Sequence, residues 1–135
     1  MLRKGTTFKD IANARLVFEK FLTKELPFPI ARKIQLFMDE SKPFMDLFKK
    51  TEKELIDEYA EKDDAGEVKI YTENNDASVH IDPKKLDEFN EKFNGLLNDT
   101  IEYNLDEDIY FRDEELMSLN CTPEEIHYIN WIIIA

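Results

Sequence analysis

From Ile30 to Tyr59 the apolar residues Ile30, Ile34, Phe37, Phe44, Phe48, Leu55 and Tyr59 keep one register of three- and four-residue steps, with Ser41 and Thr51 standing in the two gaps. The register continues through Pro43. Proline removes a backbone hydrogen bond inside a helix, and its ring crowds the carbonyl four residues earlier, so it usually ends the element. Two independent helices would have no reason to share a phase. The pattern therefore predicts one long helix over about 30–62, kinked at Pro43.

The segments on either side fall into place around that element. Thr7 followed by Asp10 reads as a capping box, and Ile11, Ala14, Phe18, Phe21 and Leu22 recur at helical spacing, which predicts a first helix over about 8–24. Pro27-Phe28-Pro29 breaks it and starts the next, so the two helices are expected to form an antiparallel hairpin. After the turn Asp63-Asp64-Ala65-Gly66 the period changes from 3.6 to 2: Val68 and Ile70, then Val79 and Ile81, alternate with polar neighbours, predicting a β-hairpin over about 67–72 and 78–81. Asp82 offers an N-cap with Pro83 behind it, and Leu86, Phe89, Phe93, Leu96 and Leu97 form one face of a third helix, with Gly95 weakening its last turn. Ile101, Tyr103 and Leu105, then Ile109 and Phe111, suggest extended pieces that join the hairpin in one sheet. Thr122-Pro123-Glu124-Glu125 is a second capping box, launching a final helix that carries Ile126, Ile129 and Ile133. The fold class that follows is α+β: a helical hairpin, a small antiparallel sheet, a third helix and a short C-terminal helix, in one domain over 1–135.

Charge is distributed unevenly. Residues 1–50 carry eleven Lys/Arg against six Asp/Glu, whereas residues 51–135 carry seven against twenty-four, for a net −12. The two halves are thus expected either to attract each other or to attract different partners. A net charge of this sign opposes direct binding to nucleic acid. The start, Met-Leu-Arg-Lys-Gly, is followed by Thr6-Thr7-Phe8-Lys9-Asp10 where a secretion signal would continue apolar, and Trp131-Ile132-Ile133-Ile134-Ala135 is too short to cross a bilayer. The expectation is a protein of a reducing compartment without a membrane partner. The single cysteine, Cys121, excludes an internal disulfide, and with only His80 and His127 besides, no structural zinc set or other cofactor site is foreseen.

Candidate functional residues are few. Asp106-Glu107-Asp108 and Asp113-Glu114-Glu115 are carboxylate runs that suit a hard cation in principle, but placing Gly66 sixth in a calcium loop puts Ala65 fifth and Thr72 twelfth, where acids are needed. Solvated acidic surface is the simpler account. Cys121 and His127 lie six residues apart, with no third group to orient the imidazole and no oxyanion turn, so catalysis is not expected there. The acids at 106–108 and 113–115, together with Trp131, are instead read as partner-contacting surface, with the C-terminal helix as the interface element. Closely spaced carboxylates such as those from Glu52 to Asp64 and from Asp99 to Glu115 also suit a second role, imitating a phosphate backbone in the groove of a nucleic-acid enzyme.

The order of pieces resembles a known pattern. The first helix closing in Phe21-Leu22-Thr23-Lys24-Glu25-Leu26-Pro27, the charged helix ending Leu55-Ile56-Asp57-Glu58-Tyr59-Ala60-Glu61-Lys62-Asp63, the hairpin, Glu88-Phe89-Asn90-Glu91-Lys92-Phe93-Asn94-Gly95-Leu96-Leu97 and the acid-rich strand are similar to an uncharacterised family of small acidic proteins encoded in phages and prophages. The resemblance implies a viral origin and a non-enzymatic role in interaction or assembly, in the virion or the bacterial host cytoplasm, with protein partners such as phage structural proteins or a host enzyme. Self-association is compatible with it. The alternative is an acidic inhibitor of a host nucleic-acid-binding enzyme.

Overall fold

A computed structural model describes residues 6–101 and 109–134 of the chain, with Ile134 described in its backbone only. Its elements are α1 (Phe8–Glu19), α2 (Phe28–Tyr59), β1 (Ile70–Glu73), β2 (Asp76–Val79), α3 (Leu86–Leu97), β3 (Phe111–Arg112), α4 (Asp113–Leu116), α5 (Pro123–Ile129) and β4 (Ile133–Ile134). The protein is α+β. Its contacts gather into two compact units, one made of residues 1–45 and 98–135 and the other of residues 46–97. Helix α2 contributes residues to both.

Local chemistry explains the element starts. Thr7 Oγ1 accepts the Asp10 N–H and the Asp10 carboxylate accepts the Thr7 N–H, closing the box that opens α1. α1 ends at Glu19, short of the expected residue 24, because Phe21, Leu22 and Lys24 donate to carbonyls three residues back and wind the chain into tighter turns. α2 runs unbroken from Phe28 to Tyr59 with Pro43 inside it. The gap at Ser41 is filled by a buried hydroxyl that accepts from the Arg15 guanidinium at 2.5 Å, while the same guanidinium reaches the Met38 carbonyl at 2.8 Å. A polar residue in the apolar seam is tolerated because α1 supplies its partner. Arg15 meeting Met38 and Ser41 while Phe18 meets Phe37 gives the two helices the antiparallel sense expected of a hairpin.

The first unit is built on aromatic rings. Phe18 stacks on Phe111 with centroids 5.3 Å apart and meets the edge of Phe37 at 5.4 Å, and Phe37 in turn meets Trp131 at 6.1 Å. Ile11, Ala14, Val17, Ile34, Ile109, Ile129 and Ile132 fill the space around them. α1 packs directly on α5. Among the described residues, the pieces after residue 98 pair elsewhere than expected, and the expected strand positions Tyr103 and Leu105 lie outside the described residues. Thr100 bridges Thr7 antiparallel, with the Ile101 N–H on the Thr6 carbonyl at 2.8 Å, and β3 pairs in parallel with β4 through Phe111↔Ile133 and Arg112↔Ile134. Ile133 accordingly leaves the final helix: α5 stops at Ile129, Asn130–Ile132 make one tight turn, and the chain becomes extended.

In the second unit α2 packs antiparallel to α3 through Phe48 on Phe93 at 6.2 Å and Tyr59 on Phe89 at 6.1 Å. The Tyr59 hydroxyl donates to the Glu88 carboxylate at 2.9 Å. α2 stops at Tyr59 and not at residue 62 because Ala60 bridges Ile81 and Lys62 bridges Val68, which diverts the backbone into a short third rung beside the hairpin. The hairpin itself is tighter than expected. Asn74 and Asn75 take φ of 51° and 69°, the two positive values of a two-residue turn whose twist matches the strands, and this sets the register Ile70↔Val79 through Glu73↔Asp76. Asp82 accepts the Lys84 N–H at 3.0 Å and starts the turn into α3 behind Pro83.

Gly95 lies within α3, and a Cβ built on it meets nothing within 4 Å. Glycine at such a site only enlarges the conformational freedom of the unfolded chain. Gly95→Ala should therefore raise stability by about 0.5–1 kcal/mol, read as a higher denaturant midpoint at unchanged slope.

Candidate interaction surface

The residues that sequence singled out around 113–115 sit on a four-residue helix, α4, and have separate fates. The Glu115 carboxylate accepts the Arg112 N–H at 3.0 Å and pairs with Lys33 Nζ at 2.6 Å, and that ammonium also donates to the Tyr110 carbonyl at 2.9 Å. Glu115 thus fastens α4 to α2. Asp113 and Glu114 remain exposed. A matching clamp holds α5, where Thr122 and Glu125 form the expected capping box and Lys20, directly after α1, pairs with the Glu125 carboxylate and reaches the Asn120 carbonyl at 3.4 Å. Both clamps join the N-terminal to the C-terminal stretch of the first unit. The charge imbalance is therefore partly spent internally: residues 1–45 hold nine bases against five acids, and residues 98–135 hold one base against ten acids.

Between α4, α5 and β4 lies a groove of about 230 Å³ lined by Asp113, Leu116, Met117, Leu119, Cys121, Ile126, Ile129 and Ile133. Its floor is apolar and its walls are unusually open to solvent for such residues, with Met117 82% exposed and Ile126 47% exposed. Asp113 supplies a charge at the rim. The volume is below the 300 Å³ or so at which pockets begin to enclose a drug-sized ligand, and fits one or two side chains of a partner. Trp131, expected at the interface, is 8% exposed and spends its ring on Phe37 inside the first unit. Asp106, Glu107 and Asp108 lie outside the described residues.

Cys121 and His127 open onto different depressions. Cys121 lines the groove, whereas His127 borders a polar hollow of about 390 Å³ with Thr7, Lys9, Asp10, Asn13, Asn98, Tyr128 and Trp131. The Asp10 carboxylate on that hollow is committed to the Thr7 N–H, and the Tyr128 hydroxyl donates to Glu124 at 2.9 Å. Among the described residues no three His, Cys, Asp or Glu side chains converge as metal ligands would, and no helix is long and apolar enough to cross a membrane. Sequence reading missed Leu116 and Met117 as surface-forming residues. The signal was present in the apolar pair directly after three acids, but it takes the return of the chain along α5 and β4 to turn them into a groove.

Two measurements follow. Burial pushes the Glu115 carboxyl up, but the hydrogen bonds from Lys33 and the Arg112 N–H and the attraction of both cations outweigh it and leave the group below its ordinary 4.5. A depressed folded value contributes stability above pH 4.5 that is lost as the pH falls through the lowered value. Glu115→Gln should cost about 1–2 kcal/mol at neutral pH and flatten the acid limb of the stability–pH curve; an unchanged limb would show that the clamp contributes nothing. Burial, followed by the charge of Glu125, pushes the Cys121 thiol up against an opposing pull from Lys20. Alkylation of the native protein should be slow at pH 6–7 and quicken on denaturation, since the thiolate is the reactive form.

No protein-family model, curated protein or solved structure matches this chain, so the groove and its two clamps stand on their own geometry.

Proposed function

We propose that this is a non-enzymatic, phage-encoded interaction or assembly protein that works by surface contact, in the virion or in the bacterial host cytoplasm, and that it docks a protein partner in the α4–α5 groove. The observation that carries the reading is Met117, four-fifths exposed at the lip of an apolar groove whose walls are clamped in place by Lys20 and Lys33. Large exposed apolar side chains gathered in one depression are costly to leave in water and mark contact surfaces. The clamps matter because a surface already held in its bound shape loses little conformational entropy on docking. The acidic rim at Asp113 and Glu114 favours a partner that offers an apolar side chain flanked by a base.

A second reading has its own support. Glu54, Asp57 and Glu58 are exposed along α2, and Asp113 and Glu114 along α4, outside the two ion pairs. Carboxylates of this kind suit an acidic inhibitor of a host nucleic-acid-binding enzyme.

Copurification from infected cells separates the two. The tagged wild-type protein should recover phage structural proteins, Met117→Asp should lose them by at least about tenfold, and Cys121 in the recovered complex should resist alkylation in denaturant-free buffer more than in the isolated protein. Recovery of a host nucleic-acid enzyme, released by salt and indifferent to Met117→Asp, would transfer the case to the second reading. Turnover of a metabolite by the isolated protein would end both.

A further inference from the structure

The first unit carries a second apolar depression of opposite charge. It holds about 250 Å³ and is lined by Phe28, Pro29, Arg32, Lys33 and Leu36 at the start of α2. Phe28 is 76% exposed. The first turn of α2 has no acid, although helix starts ordinarily favour one, and Arg32 is exposed and enters no ion pair among the described residues. This corner is therefore apolar and basic, where the α4–α5 groove is apolar and acidic.

The two depressions flank one short element. Glu115 on one side of α4 is bonded to Lys33, which lines the basic depression, while Asp113, Leu116 and Met117 on the other side line the acidic one. A two-fold axis pairs a surface with itself, so that residue i meets residue j and j meets i. Adjacent grooves of opposite sign are self-complementary under that operation.

Resting on the reading that the α4–α5 groove is a docking surface, we propose that its occupant is a second copy of this chain, in a two-fold dimer where the acidic groove of each protomer receives the basic corner of its partner. Phe28 enters the groove between Leu116, Met117 and Ile126, and Arg32 meets Asp113 and Glu114. The same chemistry already operates inside one chain, where Lys33 pairs with Glu115 and lies 5.8 Å from the centre of the Phe111 ring. What selects a second copy over another basic partner is that the matching surface lies beside the groove on the same unit. The net charge of −12 opposes association at long range, but that repulsion is screened over about 8 Å at physiological salt, whereas the pairing charges act in contact.

Sedimentation analysis at about 150 mM salt and up to about 100 μM protein tests this. The wild type should show a monomer–dimer equilibrium. Arg32→Glu and Asp113→Arg should each weaken dimerisation by at least about tenfold, and an equimolar mixture of the two should recover the dimer, because each variant then offers the charge the other lacks. Recovery also shows that both variants are folded. Phe28→Ser, which changes no charge, should weaken the dimer to a similar degree. A monomeric wild type, a dimer indifferent to all three substitutions, a mixture of folded variants that stays monomeric, or growth into larger oligomers overturns the proposal. If the wild type is monomeric yet Met117→Asp still abolishes copurification of phage proteins, the docking reading survives and only the second copy is excluded.

Discussion

Phe18 is the point at which the first unit is tied together. Its ring lies on Phe111 and against Phe37, and Phe37 passes the contact on to Trp131, so one continuous cluster takes a residue from α1, α2, β3 and the turn after α5. Each such ring pair is worth about 0.5–1.5 kcal/mol beyond the area it buries. The two short helices that wall the groove depend on this cluster. α4 has no buried residue of its own and α5 has only Ile129, so neither would hold its place by packing alone. α4 follows directly from Phe111–Arg112, and α5 runs directly into Trp131, which means that both are hung from anchored aromatic residues next to them in the chain.

Electrostatics completes what the rings begin. Lys20 and Lys33 each hold a carboxylate and a backbone carbonyl from the C-terminal stretch, at Glu125 with Asn120 and at Glu115 with Tyr110. One ammonium thus satisfies two acceptors of different kinds. Removing either lysine would leave a loop carbonyl as well as a carboxylate to be rehydrated. The steep imbalance of charge along the chain has a structural side that its total of −12 conceals.

What sequence revealed and what it hid divide along the range of the interaction. The boxes Thr7/Asp10 and Thr122/Glu125 and the cap at Asp82 are closed by residues two or three apart, and each forms where its pattern stands. The register through Pro43 was equally legible, because a helical phase is a property of one segment. The pairing of β3 with β4 was not. Two residues at 111–112 and two at 133–134 have no period to recognise, and only the closed core brings them side by side. The Asn74-Asn75 turn was hidden for a different reason: strands placed at about 67–72 and 78–81 left a longer connection between them than the two residues that suffice. The candidate surface lay between these cases. Its acids at 113 and 114 were visible, but Glu115 is bonded to Lys33, Trp131 belongs to the core, and Met117 takes its meaning from Ile126, Ile129 and Ile133, brought back beside it by α5 and β4.

The second unit is one uninterrupted stretch, residues 46–97, while the first is made of two stretches on either side of it. Synthesis proceeds from the N-terminus at about 5–20 residues per second. The second unit has every partner it needs as soon as Leu97 has left the ribosome. Phe18 and Phe37 have to wait until Phe111 and Trp131 are made, several seconds later at the slower rates, with only each other to cover their rings in the meantime. The nascent chain is thus most open to capture by chaperones, or by another chain of its own kind, in the interval when its oldest residues are still its least protected.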